Sequence, residues 1–79
     1  MIIELVNLIE KISPLLSSLL VSKSPIAEKV IETIASNFHA DPQRPEDIAK
    51  KIEQDPDSDN KIIEIEAQYK DFEFKIKIE

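Results

Sequence analysis

Residues 61–79 read KIIEIEAQYKDFEFKIKIE, and the fold class turns on how this stretch is parsed. With a period of two, Ile63, Ile65, Ala67 and Tyr69 alternate with charge, as do Phe72, Phe74, Ile76 and Ile78. A fold at Lys70-Asp71 would then set Glu66 beside Lys75 and Glu64 beside Lys77 as cross-strand pairs of a hairpin. Lys-Asp is a poor two-residue turn, however, and the chain contains no glycine to improve it. With a period of 3.5, Ile62, Ile65, Tyr69, Phe72 and Ile76 form one apolar stripe. Glu66-Lys70 and Glu73-Lys77 then take the favourable helical order, acid first. Ile63, Ala67, Phe74 and Ile78 would fall on another side of that helix, which therefore needs cover on two faces. On the residues alone both readings stand, with the hairpin slightly ahead.

Upstream of this stretch the signals are helical. Ser13-Pro14 and Ser24-Pro25 each join an N-cap residue to a proline suited to the first turn, where a missing N–H costs no intrahelical bond. Apolar residues recur every three or four positions at Ile2, Leu5, Ile9 and Ile12. They do so again at Ile26, Val30 and Ile34, with Ala27, Ile31, Ala35 and Phe38. Leu15, Leu16, Leu19 and Leu20 add a third stripe. The expected helices cover about 2–12, 14–22 and 25–38, with these stripes as the core.

Two Asp-Pro pairs bracket the segment from Asp41 to Pro56. Inside it, Pro45 to Gln54 reads as a fourth short helix with Ile48, Ala49 and Ile52 facing inward. Glu46 and Asp47 in its first turn suit the helix dipole. Asp55-Pro56 ends it, because a residue before proline avoids the helical region. Asp55, Asp57 and Asp59 alternate, Asn60 and Ile62 follow, and Glu66 closes a window that resembles a calcium-binding loop. Hard carboxylate oxygens at that spacing suit calcium, which makes Asp55, Asp57, Asp59 and Glu66 the candidate ligand set. The alternative is a solvated linker in which Asp57 or Asp59 caps the last segment.

The totals narrow the function classes. Seventy-nine residues make one small domain with a marginal core, for which self-association is a common remedy. The chain has no cysteine and one histidine, His39, which removes disulfides and multi-histidine zinc chemistry. A net charge of −6 argues against nucleic acid, whose phosphates call for a basic surface. Residues 1–40 carry Lys11, Lys23 and Lys29 against Glu4, Glu10, Glu28 and Glu32, so nearly all the acidity lies after them. The chain therefore divides into an apolar helical core over 1–40, a proline-bracketed linker and short helix over 41–56, and a charged amphipathic arm over 57–79. Glu4, Asn7, Glu10, Lys11 and the Ser17-Ser18 pair interrupt the apolar N-terminal stretch, and no spanning segment or signal peptide is read there. The serines read as caps and polar faces, His39 has no partner at a readable spacing, and no enzymatic activity or cofactor is expected. A cytoplasmic location is expected, with peripheral contact at the inner membrane as a variant.

Ala35-Ser36-Asn37-Phe38, Arg44-Pro45-Glu46-Asp47-Ile48-Ala49, Gln54-Asp55-Pro56 and the run from Glu66 to Lys75 together carry a family resemblance. Residues 25–79 resemble the soluble N-terminal part of the three-transmembrane holins of phages and gene-transfer agents. The membrane spans of that family do not follow within this sequence, and its glycine-rich N-terminal stretch is missing. The resemblance implies a helical last segment, hence an all-α bundle of four to five short helices, with an α+β fold carrying a hairpin at 62–79 as the alternative. It also implies a role in lysis or release, with itself, a membrane protein or a membrane surface as partner. Tyr69, Phe72, Phe74 and Ile76 are the expected self-association surface. A small acidic inhibitor or adaptor of a basic protein is the other non-enzymatic class.

Overall fold

A computed structural model of the chain describes the backbone of residues 2–22 and 25–78, and the side chains of 3–22 and 25–70. Among the described residues there are five helices and no strand. They are α1 (Ile2–Ile12), α2 (Pro14–Val21), α3 (Ile26–Asn37), α4 (Pro45–Gln54) and α5 (Ser58–Ile78). The all-α expectation holds, and the hairpin alternative at 62–79 is not adopted. Helix α1 packs on α2 and α4, α2 packs on α3, and α5 lies across α1, α2 and α3. At 1.5 Å per residue, α5 is about 31 Å long, most of the molecule's 38 Å long dimension. No helix among the described residues is long and apolar enough to cross a membrane.

The core follows the predicted stripes. Leu5 and Ile9 of α1, Leu16 of α2, Val30 and Ile34 of α3, and Ile48 of α4 are fully buried together. Helix α2 is the most apolar of the five, and its Ser17 is buried as well. A hydroxyl there needs a partner, and Ser17 donates to Pro14 O at 2.9 Å within its own helix. Among the described residues no buried side-chain polar atom is left without a partner.

A chain without glycine must end its helices by other means. Ser13 caps α2 as expected, in extended geometry, and Leu16 N–H donates to its Oγ at 3.1 Å. Pro45 opens α4, but Arg44 before it supplies no side-chain cap. At α3, Pro25 occupies the N-cap position rather than the first turn, and the expected cap at Ser24 lies outside the described residues. The two Asp-Pro pairs prove to be matched turns. Asp41 Oδ1 accepts from Gln43 N–H at 2.9 Å, and Asp55 Oδ1 accepts from Asp57 N–H at 2.8 Å. Each carboxylate bonds the backbone two residues on, across a proline that supplies no donor of its own.

Helix α3 ends in the double reverse bond that usually recruits glycine. Ala40 N–H donates to Ala35 O at 2.9 Å and His39 N–H to Ser36 O at 3.4 Å. The residue that turns the chain is His39, at φ 55°, which makes it the one left-handed residue among those described. That conformation costs a residue with a Cβ roughly 1 kcal/mol. The histidine thus has a backbone role that its side-chain chemistry gave no reason to expect. Replacing it should reveal the cost: His39→Gly should stabilise the fold by about 0.5–1 kcal/mol and raise the melting temperature by about 3–6 °C. Thermal unfolding followed by circular dichroism measures this, and a lower melting temperature would contradict the assignment.

Candidate functional site

The chemistry of this chain is concentrated where α5 meets the rest. Along α5 the buried positions are Ile62 and Ile65, both fully excluded from solvent, followed by the partly buried Tyr69. This is the 3.5-residue stripe, and its contact with the core is what a strand could not reproduce: with period two, Ile62 and Ile65 would face opposite ways.

Three polar links flank the stripe. Ser13 Oγ, already accepting from Leu16, donates to Glu66 Oε2 at 2.6 Å, joining residues 53 positions apart. Ser13 is fully buried, so one hydroxyl satisfies the start of α2 and ties it to α5. Lys70 approaches the other Glu66 oxygen at 3.6 Å, one helical turn on. The Tyr69 hydroxyl lies 2.9 Å from Thr33 Oγ1 and donates to Lys29 O at 3.3 Å, fixing α5 to α3. Lys61 Nζ bonds Asp55 Oδ2 and sits 5.3 Å from the centre of the buried Phe38 ring. That cation–π contact and ion pair close the junction of α3, the 55–57 turn and α5.

The Asp55 carboxyl is held below its ordinary value of 3.8, first by the Lys61 hydrogen bond and then by the Asp57 N–H. Partial desolvation opposes the shift, and the Lys61 charge adds to it.

The candidate calcium ligands are not gathered into a cage. Asp55 and Asp57 are neighbours in one turn, but Asp55 is paired with Lys61, and Asp57 Oδ1 accepts from Asn60 Nδ2 at 2.7 Å. Helix α5 begins at Ser58, so Asp59 lies in its first turn and Glu66 about 10 Å further along the rod, turned to Ser13. A calcium loop must curl back on itself, and a helix cannot. Among the described residues no group of three or more carboxylates or histidines could hold a metal ion. Asp57 occupies the position just before α5, where the linker reading put a capping residue.

The expected self-association residues divide. Tyr69 is committed within the domain, its partly buried ring on the core and its hydroxyl on α3. Phe72, Phe74 and Ile76 lie outside the residues whose side chains are described. Exposed apolar surface is found elsewhere: Ile63 on α5 is 51% exposed, and Ile3 and Val21 are 62% and 64% exposed. The last two border a shallow groove of about 310 Å³ between α1 and α2, lined also by Val6, Asn7 and Leu20.

The Ser13–Glu66 and Thr33–Tyr69 links escaped the sequence reading because each joins residues far apart in the chain. The nearest thing to a local signal was Ser13 before Pro14, which announced a cap but not its second partner. Comparison with protein families, with curated proteins and with solved structures finds no match for this chain.

The Ser13–Glu66 link can be weighed by a double-mutant cycle. Ser13→Ala should cost about 2–3 kcal/mol, combining a lost cap with a lost bond to a charged acceptor. In combination with Glu66→Ala, urea unfolding should give a coupling energy of about 1–2 kcal/mol. A coupling near zero would mean that the bond adds nothing beyond the cap.

Proposed function

We propose that this chain is a non-enzymatic, self-associating interaction module whose working surface is the free side of α5. The observation that carries the reading is the one-sided docking of that helix. Its stripe at 62, 65 and 69 is used internally, while Ile63 and Ala67 remain exposed on another side. The same helix had demanded cover on two faces from its sequence, and among the described residues the chain covers the 62, 65 and 69 side but not Ile63 and Ala67. A domain of this size has little apolar area to spare for solvent, so covering the second face adds stability.

Sedimentation over a range of concentrations tests the proposal. The expected result is an oligomer whose mass is a multiple of 9.0 kDa. Ile63→Asp, at a half-exposed position, should leave the helical circular dichroism unchanged and weaken association at least tenfold. A single monomeric species at every concentration would contradict the reading.

A second reading is favoured by Ile3 and Val21, exposed beside the apolar groove of α1 and α2. In a holin-like release system, the setting the sequence resemblance implies, that face would meet a membrane protein or a membrane surface. Flotation with neutral-lipid vesicles should recover the chain, and the double variant Ile3→Glu, Val21→Glu should abolish the recovery. Equal recovery of both proteins, or of neither, would contradict it.

A further inference from the structure

The two Asp-Pro pairs, Asp41-Pro42 and Asp55-Pro56, are a feature of the sequence that the proposed function leaves unused. An Asp-Pro link is the peptide bond that a chain's own side chain cuts most readily. The aspartyl carboxyl stands one carbon from the backbone, so its oxygen closes a five-membered ring on its own carbonyl carbon. Proline nitrogen belongs to a tertiary amide. It takes a proton more easily than an ordinary peptide nitrogen and leaves as a secondary amine.

The fold treats the two pairs differently. In both, Oδ1 accepts a backbone N–H two residues on, from Gln43 in one and Asp57 in the other. At Asp55 the second oxygen is taken by Lys61 Nζ, and the side chain is only 19% exposed. An ammonium there engages the electron pair that would attack, and it must be displaced first. That bond first, and the Asp57 N–H next, hold the Asp55 carboxyl below its ordinary value. At Asp41 the second oxygen has no partner among the described residues, and Asp41, Pro42 and Gln43 are all exposed. The backbone around it is nevertheless held on both sides. Asp41 N–H donates to Asp47 Oδ2 at 3.2 Å, and Gln43 N–H donates to Asp41 Oδ1 at 2.9 Å. The carboxyl is thereby kept alongside the 41–42 link that the turn spans, one oxygen anchored and the other open to react.

We propose that the Asp41–Pro42 bond is a self-cleavage site, at which the folded chain divides in mild acid while the Asp55–Pro56 bond is protected. Asp41 Oδ2 attacks the Asp41 carbonyl carbon and forms a C–O bond. The bond from that carbon to Pro42 N breaks, and the nitrogen leaves as a secondary amine with a proton taken from the medium. One water then opens the cyclic anhydride, and residue 41 becomes a C-terminus with both carboxyls restored. The net change is hydrolysis of one peptide bond, with water as the co-reactant. Each chain spends its own bond once, which separates this step from enzymatic turnover. The cut falls between α3 and α4. Ile48, Ala49 and Ile52 of α4 and Ile62 and Ile65 of α5 share one core with the first three helices. The pieces 1–41 and 42–79 therefore stay together until they are denatured.

The test is denaturing mass spectrometry of the full chain, incubated at the lowest pH where circular dichroism shows the helices intact. A second sample is held at the same pH in urea. In the folded sample the pieces 1–41 and 42–79 should form about tenfold faster than those cut at Asp55. In urea, where neither turn survives, the two bonds should break at rates within about threefold of each other. Asp41→Asn keeps an acceptor for Gln43 N–H but loses the nucleophile, and should abolish the first cut. Lys61→Ala frees Asp55 Oδ2 and should speed the second cut about fivefold, leaving the first unchanged. A folded chain cut at Asp55 as fast as at Asp41 overturns the assignment. So does an Asp41–Pro42 bond that stays whole in the folded chain while the urea sample is cut there.

Discussion

A fully buried serine hydroxyl connects the first and last parts of this protein. Ser13 Oγ accepts from Leu16 N–H at the start of α2 and donates to Glu66 on α5. Removing Glu66 would leave the Ser13 hydroxyl without its acceptor where water is excluded, and buried polar groups without partners are expensive. Ile62 and Ile65 can reach the core only when α5 lies where this bond holds it. The links from Tyr69 to α3 and from Lys61 to Asp55 and Phe38 then fix the rotation of the helix about its axis. That rotation decides which side of α5 remains outside.

Much of the architecture was legible because proline and apolar spacing speak locally. Pro14 and Pro45 open helices where the sequence put them, and Leu5, Ile9, Val30, Ile34, Ile48 and Ile52 are buried as their spacing implied. What was not legible depended on conformation or distance. His39 was read by its side chain, yet its part is to turn the chain at positive φ, where a glycine would ordinarily stand. Thr33 and Tyr69 are 36 residues apart, and nothing in either neighbourhood points to the other.

The last segment was ambiguous for a physical reason. Its alternation of apolar and charged residues meets the demands of a hairpin, and its 3.5-residue stripe meets those of a helix. Core contact decides between them, since only a helix directs Ile62, Ile65 and Tyr69 to one side. The cross-strand matches that favoured the hairpin are then left without use inside one chain. The candidate calcium ligands have a parallel history. Asp55 and Asp57 form a turn ahead of α5, and among the described residues they are not gathered with Asp59 and Glu66.

The account depends on α5 being an integral part of the domain rather than an arm that docks and releases. Amide hydrogen exchange measures this most directly. If the Ser13–Glu66 link and the Ile62–Ile65 stripe lock the helix, amides over 62–69 should open with the same free energy as those of α1 and α2, in one cooperative unit. Exchange in α5 about a hundredfold faster than in α1 would show a helix that undocks independently, and would contradict the account.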